Sequence, residues 1–227
     1  DLSSECPDQH LRLVSLNVRS YVKHLPDLQA ATYLQHTDIF CFVETFLSPS
    51  DDIRHLNPLH VSMMPFRQDR DPEKGLEKGG IMIMAKDELR PCRRGHLPNI
   101  TGIEYLIVKL TVQFSPLNVI VIYKRPVTNT AMFLRALHDL LHSSSLTEPT
   151  LVCGDFNMDI ISNTASEALV NSMQTLGFTQ LVTEPTTDYG SLLDHVYSNC
   201  HSWNMRVDIV DCYFSDHDFV CLSLKVT

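Results

Sequence analysis

Hydrophobic residues recur along the whole chain in short runs rich in valine, isoleucine and leucine, the pattern of buried β-strands. The predicted strands are Leu11 to Leu16, Asp38 to Val43, Gly80 to Met84, Tyr105 to Val112, Val119 to Tyr123, Thr150 to Cys153, Asp194 to Tyr197 and Phe219 to Val226. Several runs follow one another too closely for the helical crossover that joins parallel strands. The spacing therefore favours two packed sheets flanked by helices over one doubly wound sheet.

Helical periodicity appears between some of these runs. Apolar residues repeat at three- and four-residue steps in two segments, and a third segment has a weaker pattern. The predicted helices are Thr130 to His142, Ser166 to Leu176, which Gly177 closes as the expected C-cap, and Tyr21 to Gln35, with Pro26 near its start. The polar, proline-broken segment 51–78 is predicted to be a long irregular excursion.

Composition supports one globular domain spanning residues 1–227. Of the 227 residues, 44% are hydrophobic and 20% are charged, enough to bury a sizeable core. The longest apolar runs fall far short of the roughly 20 residues that cross a bilayer, so no membrane segment is expected. Seven cysteines without a CxxC pair predict reduced thiols. Because the sequence begins at Asp1, we expect it to be part of a longer chain.

The charge balance argues against electrostatic binding to nucleic acid. Eighteen Lys and Arg residues against 27 Asp and Glu residues give a net charge of −9, whereas electrostatic binding to phosphates favours a basic surface. This objection weakens if the surplus carboxylates hold divalent cations, or if basic residues cluster on one face, as Lys86, Arg90, Arg93 and Arg94 do locally in the sequence.

Four short polar clusters stand next to the predicted strands. They are Asn17, Glu44, the segment Gly154 to Asn157, and the segment Ser215 to His217. Open-sheet enzymes place catalytic groups at strand ends, so these clusters predict one shared site. Glu44, Asn17 and Asp216 offer the oxygen ligands that Mg²⁺ prefers.

The remaining polar residues suit hydrolysis of a phosphodiester. Asp155 could deprotonate the attacking water, with Asn157 fixing its geometry. His217 could donate to the charged transition state if Asp194 keeps its ring protonated. Tyr123 could donate to a phosphate oxygen. Each cluster alone also suits a turn, a cap or a solvated surface, and only their co-occurrence indicates hydrolysis.

In their order, these motifs resemble the endonuclease/exonuclease/phosphatase superfamily, which includes AP endonucleases, DNase I and inositol polyphosphate phosphatases. The matching segments are LNVRS (16–20), the glutamate of FVET (42–45), GGIMIM (79–84), VIYKRP (121–126), GDFN (154–157), LLDHVYSN (192–199) and SDH (215–217). LNVRS, the asparagine that ends LLDHVYSN and the compact length are especially similar to the apurinic-like endonuclease domains of non-LTR (LINE-type) retrotransposons.

The resemblance implies a four-layer α/β sandwich of the DNase I and AP endonuclease type. It also implies a metal centre in which Glu44 is the principal Mg²⁺ ligand, with Mn²⁺ as a substitute, assisted by Asn17 and Asp216. Asp155 would activate water, and Asn157 would help to position it and the phosphate.

For the other site residues, the resemblance implies contacts to the phosphate and the transition state. Tyr123 would contact the phosphate, and His217, paired with Asp194, would stabilise the transition state.

The chain departs from the AP endonucleases at two places. Val18 and Arg19 follow Asn17 where the family usually carries an acidic or amide residue. Lys124 and Arg125 follow Tyr123 in place of proline and asparagine, and Lys124 or Arg125 is predicted to supply a charged phosphate contact instead. Phosphate or sugar contacts are also predicted for Thr186 and Ser191.

The expected activity is a nick in one strand of target DNA that leaves a 3′-hydroxyl for reverse transcription. The expected partners are DNA and a reverse transcriptase domain in the same parent chain. We expect the isolated domain to be an intracellular monomer, nuclear during integration and cytoplasmic otherwise. Two alternatives stay open: a phosphatase or phosphodiesterase acting on a non-duplex substrate, and a non-catalytic interaction module, against which the complete residue set argues.

Overall fold

A computed structural model describes residues 10–52, 57–59, 61–69, 79–94, 103–143, 148–162 and 166–225. The strands are β1 His10–Asn17, β2 Ile39–Val43, β3 Met63–Gln68, β4 Ile81–Lys86, β5 Cys92–Arg93, β6 Ile103–Val112, β7 Ser115–Lys124, β8 Thr150–Asp155, β9 Thr179–Gln180, β10 Asp194–Ser198, β11 Asn204–Val210 and β12 Phe219–Lys225. The helices are α1 Tyr21–Ala30, α2 Thr130–Ser143 and α3 Glu167–Thr175, with short 3₁₀ helices at Thr32–His36 and Asp87–Leu89.

The strands form two six-stranded mixed sheets. The first has the order β11-β12-β1-β2-β4-β3 and the second β5-β6-β7-β8-β10-β9. Each sheet contains one parallel pair, β1 with β2 and β7 with β8, and its other neighbours are antiparallel. Each parallel pair is joined by a helix, α1 in the first sheet and α2 in the second. Because paired parallel strands end at the same edge, the residues after them meet there.

Alternation of side chains along the strands divides the core into three apolar clusters. The cluster between the sheets includes Leu13 and Cys41 from the first sheet and Val121 and Cys153 from the second. A second cluster packs the outer face of the first sheet against α1. A third packs the outer face of the second sheet against α2 and α3. The predicted α/β sandwich of two mixed sheets flanked by helices is therefore confirmed.

The sequence pattern misses several strands that lie at sheet edges. β3 falls inside the segment predicted to be irregular, and no apolar run marks β11. Both are outermost strands and are half-exposed along most of their length, so neither carries a continuous apolar run. The helix predicted over Tyr21 to Gln35 ends earlier, at Ala30, and a 3₁₀ turn follows it.

Parts of some predictions lie outside the described residues, including much of the segment 51–78 and the end of the last strand at Val226. The six cysteines that the structure describes are free thiols. Within the described part of the chain, no helix is both long enough and apolar enough to span a membrane.

Candidate active site

The predicted site residues gather at one edge of the sandwich because of how the strands pair. Asn17 is the last residue of β1, and Glu44 follows the parallel strand β2. Asp155 is the last residue of β8 and lies opposite Tyr123 of the parallel strand β7. His217 precedes β12, which runs antiparallel to β1 and therefore begins at the end where β1 stops. Asp194 begins β10 opposite Asp155 in the antiparallel register.

Hydrogen bonds across this edge pair a residue of one sheet with a residue of the other. They join Asn17 Nδ2 to Asp155 Oδ2 (3.0 Å), the Tyr123 hydroxyl to Glu44 Oε1 (2.6 Å) and His217 Nδ1 to Asp194 Oδ2 (2.8 Å). The site therefore depends on the packing of both sheets.

Local backbone geometry explains the Gly-Asp-Phe-Asn motif after β8. Gly154 has a φ of +129°, and a Cβ there would lie 2.1 Å from the carbonyl oxygen of Ile122, so only glycine fits. Phe156 is buried and meets Phe133 of α2 edge-on at 5.8 Å. Asn157 takes a left-handed conformation with φ 45° and donates from Nδ2 to the carbonyl of Lys124 at 2.8 Å.

Asp155 is buried and surrounded by amide donors. Its Oδ1 accepts from the Asn157 backbone N–H (2.8 Å), and its Oδ2 accepts from Asn17 Nδ2 and Asn157 Nδ2 (3.2 Å). Burial and the nearby charge of Asp194 raise its pKa to about 7, although His217 and the amide donors oppose the shift. A carboxylate with a pKa near neutrality is suited to accept a proton from water.

His217 is held as a charged donor by Asp194. Burial alone would lower the pKa of His217, but the charge of Asp194 and the hydrogen bond to it raise the pKa to about 9, with smaller contributions from Asp155 and Asp216. The ring is therefore protonated at neutral pH. Its backbone N–H donates to Ser215 Oγ (3.2 Å), whose hydroxyl in turn donates to the carbonyl of Asn17 (2.8 Å).

Thr186, predicted to contact phosphate or sugar, is fully buried, and its hydroxyl is occupied within the protein. Its hydroxyl donates to Asp194 Oδ2 (2.8 Å) and accepts from the backbone N–H groups of Leu193 (3.2 Å) and Asp194 (3.1 Å). Thr186 therefore positions the carboxylate that holds His217.

Glu44 lies in a tight turn with φ 51° and is half-buried. The turn is fixed on one side by backbone bonds from Thr45 to Gly80 (3.1 Å) and from Phe46 to Gly79 (2.8 Å). The hydroxyl of Tyr123, the residue predicted to contact phosphate, donates to the Glu44 carboxylate. The structure therefore gives Tyr123 an orienting role on the predicted metal ligand.

The two basic residues after Tyr123 have different environments. Lys124 is buried, with its Nζ 5.9 Å from the ring centroid of Phe133, and donates to the carbonyl of Arg125 at 3.4 Å. Its amine packs against α2, where burial lowers its pKa and the charge of nearby Asp155 opposes the shift, so its phosphate contact stays a prediction. Arg125 is half-buried, with Nε 3.7 Å from Glu104 Oε1.

Glu104 belongs to this edge, although no sequence motif marks it. It is buried, lies opposite Tyr123 in the sheet and accepts from the backbone N–H of Gly80 at 2.8 Å. An acidic residue at the start of an apolar strand was the available signal.

Ser191 is half-buried beside Thr187, to whose hydroxyl its N–H donates at 3.2 Å. Asp216 forms an ion pair with Arg19.

Three of the predicted residues lie close enough to share a cation. Ligand atoms of Asp155, Asp194 and His217 are all within 4.8 Å of one another, so this cluster could hold a metal ion. A protonated His217 is a donor rather than a ligand, however, and favours an acid–base role for the cluster. Glu44 and Asp216 are not members of it.

Comparison with known proteins fits this arrangement. The sequence pattern of the endonuclease/exonuclease/phosphatase family matches residues 10–217. The chain belongs to this family. The family predicted from the motifs is therefore confirmed. No curated protein matches the chain.

Solved structures with the fold of this family member include nucleases and phosphatases. The endonuclease domain of TRAS1, a telomere-specific non-LTR retrotransposon, superposes with a TM-score of 0.73 at 15% identity, covering 96% of this chain and 99% of that one. A humanized D. rerio TDP2 gives 0.68 at 15% identity, covering 96% and 99%. The 3′ phosphatase NExo from Neisseria, bound to a product DNA hairpin, gives 0.66 at 14% identity, covering 93% and 98%.

Proposed function

We propose that this family member is an Mg²⁺-dependent DNA endonuclease that nicks one strand of its target and leaves a 3′-hydroxyl. The observation that carries the proposal is the buried cluster in which side-chain atoms of Asp155, Asp194 and His217 lie within 4.8 Å of one another. Within it the pKa of Asp155 is about 7, and that of His217, which is bonded to Asp194, is about 9. At neutral pH these groups supply a base and a proton donor to one reaction centre.

In the proposed reaction, water attacks the phosphorus atom of a phosphodiester. Asp155 accepts the proton of the attacking water, while Asn157 and Asn17 hold the carboxylate in place. A phosphorus–oxygen bond forms to the water oxygen, and the bond to the 3′-oxygen breaks. His217 donates hydrogen bonds to the phosphoryl oxygens as negative charge accumulates on them. The leaving 3′-oxygen takes a proton from solvent water to become the hydroxyl, and Asp155 then releases its proton to solvent.

The donor set also fits a hard divalent cation, with Mn²⁺ as the expected substitute for Mg²⁺. The Glu44 carboxylate and the Asn17 side-chain oxygen are the hard oxygen ligands that such ions prefer, and both lie at the ends of the paired strands β1 and β2. The bound ion would stabilise charge on the phosphate and on the leaving oxygen.

Similarity to the TRAS1 domain supports DNA as the substrate and target-primed reverse transcription as the setting. In this proposal, the chain is the N-terminal domain of a retrotransposon polyprotein that also carries reverse transcriptase. We propose that the isolated domain acts as a monomer, in the nucleus during integration and in the cytoplasm otherwise.

A second candidate is a phosphatase or phosphodiesterase acting on a non-duplex substrate. The net charge of −9 favours it, because an acidic protein repels a long polyanion more strongly than a small phosphate ester. The complete set of Asp155, Asn157, Asp194 and His217 argues against a non-catalytic interaction module.

Nicking of supercoiled plasmid by the purified domain tests the proposal. Open circles should form with Mg²⁺ or Mn²⁺, and should be lost with EDTA or in Asp155→Asn. Asp208→Asn is the matched control, since this carboxylate pairs with Arg206 on the edge strand β11. Intact plasmid from wild-type protein that circular dichroism shows to be folded would contradict the proposal. Release of phosphate from a 3′-phosphorylated oligonucleotide would then support the second candidate.

A further inference from the structure

Arg19 is fixed at the mouth of the site by backbone bonds on both sides of it. The N–H of Val18 donates to the carbonyl of Val43 (3.0 Å), and the N–H of Ser20 donates to the carbonyl of Glu44 (2.9 Å). The N–H of Arg19 itself points to Asn17 Oδ1 (3.3 Å). The residue has a φ of 44°, which is unfavourable for a non-glycine residue. The loop therefore places an arginine beside Asn17 and Glu44, two of the three predicted metal ligands.

The side chain of Arg19 forms an ion pair with Asp216. Its Nε lies 2.8 Å from Asp216 Oδ1, and 49% of the Arg19 side chain remains exposed, against 25% for Asp216. The contact is an ion pair without hydrogen-bond geometry. Such a half-exposed pair contributes little to stability, so stability alone does not account for a strained arginine at this position.

The surroundings of Arg19 are strongly acidic. Glu44, Asp155, Asp194 and Asp216 all lie at this edge of the sandwich, and a phosphodiester anion must approach them. Of the basic residues predicted to meet it, Lys124 packs against α2 and Arg125 faces Glu104. Arg19 is half-exposed beside the turn of Glu44 and beside Asp216, the residue before His217.

We propose that Arg19 binds a DNA backbone phosphate that neighbours the phosphate at the cleavage site. Asp216 is its positioning partner. A guanidinium carries five N–H donors in a fixed fork, so one end can pair with Asp216 while the other donates to phosphate oxygens. In this arrangement Asp216 balances the positive charge of Arg19 and orients its side chain, instead of ligating metal. This inference rests on the proposed function, because it requires a polynucleotide substrate.

DNA binding without metal tests the phosphate contact directly. Fluorescence anisotropy of a labelled duplex in EDTA, over a series of salt concentrations, gives the slope of log affinity against log salt. Loss of one phosphate contact reduces this slope by about 0.9. Arg19→Gln should show that reduction and a several-fold weaker affinity that is the same for unrelated duplex sequences, whereas Arg19→Lys should keep most of the slope.

Arg206→Gln is the matched control, because Arg206 also forms an ion pair with an aspartate, Asp208 at 2.6 Å, but on the edge strand β11. It removes the same charge from an arginine–aspartate ion pair, although this pair, unlike that of Arg19, is also hydrogen-bonded. Equal slopes for Arg19→Gln and Arg206→Gln, with wild-type protein binding and nicking DNA, would overturn this inference and leave the proposed function standing. Failure of wild-type protein to bind or nick DNA would count against the proposed function itself.

Asp216→Asn separates a positioning residue from a metal ligand. In this variant, the Mg²⁺ concentration that gives half-maximal nicking should stay near the wild-type value. When Asp216→Asn is added to Arg19→Gln, the salt slope and KM should equal those of Arg19→Gln alone. A many-fold rise in that Mg²⁺ concentration, in both backgrounds, would instead make Asp216 a metal ligand.

Discussion

Asn17, at the end of a strand in one sheet, donates a hydrogen bond of 3.0 Å to Asp155, at the end of a strand in the other. Both side chains are buried, and the bond joins a predicted metal ligand to the predicted base. The geometry of the reaction centre thus depends on a contact between the two sheets. In the proposed mechanism Asn17 has two roles on one amide, since its oxygen would bind the cation and its nitrogen holds Asp155.

We expect Asn17→Ala to slow nicking by roughly 10- to 100-fold, the equivalent of a hydrogen bond to a charged group worth about 1.5–3 kcal/mol. The lost donor also raises the pKa of Asp155, so the rise of activity with pH should move to higher pH. Rates measured from pH 5 to 8 check both effects. Asn129→Ala, at the exposed start of α2, is the control. An unchanged pH profile would contradict the role given to the amide nitrogen.

The activity of the wild-type protein should follow a bell-shaped pH profile. Activity should rise around pH 7 as Asp155 ionises and fall around pH 9 as His217 loses its proton. These midpoints belong to the coupled cluster rather than to single residues. Asp194→Asn removes a negative charge that raises both pKa values, so both limbs should move to lower pH while the maximal rate falls. Opposite movement of the limbs would contradict this electrostatic account.

Burial of Asp155 should make folding stability depend on pH in a defined direction. The pKa of this carboxyl rises from its ordinary value of 3.8 to about 7 on folding, so the folded state disfavours the ionised form. Protonation of Asp155 therefore stabilises the folded state. This contribution is fully present below pH 3.8 and is lost as the pH rises through 7. The free energy of unfolding, measured with urea at pH 4 and at pH 7, should therefore rise for Asp155→Asn relative to wild type as the pH increases. The relative gain should be up to about 1.4 kcal/mol per pH unit. A difference that does not change with pH would contradict the shift.

The sequence predicted the site best where a motif coincides with the end of a buried strand. Asn17, Glu44 and Asp155 lie at the ends of such strands. Parallel pairing of β1 with β2 brings Asn17 and Glu44 to one edge, and packing of the two sheets adds Asp155. Direction of side chains was harder to predict. Lys124 follows Tyr123 in a strand, so alternation turns it to the opposite face, toward α2. Thr186 lies in a polar loop, which suggests exposure, yet it is buried under Asp194.

The edge strands and the ion pair of Arg19 could not be predicted for a different reason. β3 and β11 are half-exposed, and their hydrogen bonds to neighbours come from pairing that no local pattern encodes. Likewise, Arg19 and Asp216 are far apart in sequence and meet only because β12 lies beside β1. Long-range pairing decides both outcomes.

Gly154→Ala should be among the most destabilising single changes in the chain. The new Cβ would lie 2.1 Å from the backbone oxygen of Ile122, and the strand pair cannot move apart without disturbing Asp155. We expect a loss of at least about 3 kcal/mol in unfolding free energy, measured by denaturant melts. Gly190→Ala is the matched control: its φ is also positive, at +77°, but its Cβ would meet nothing within 4 Å. Its cost should be about 1–2 kcal/mol. Equal costs would show that φ alone, and not the close approach, requires glycine at position 154.

Thr186→Val should lower the rate of nicking without weakening substrate binding. The valine keeps the shape of the side chain but leaves Asp194 without the donor at 2.8 Å, and leaves two backbone N–H groups without their acceptor. We expect a stability loss of about 1–3 kcal/mol and a lower kcat, because His217 is less firmly held, while KM stays near the wild-type value. Thr186→Ser should restore kcat. A rise in KM with unchanged kcat would instead return Thr186 to the substrate-contacting role that its sequence position suggests.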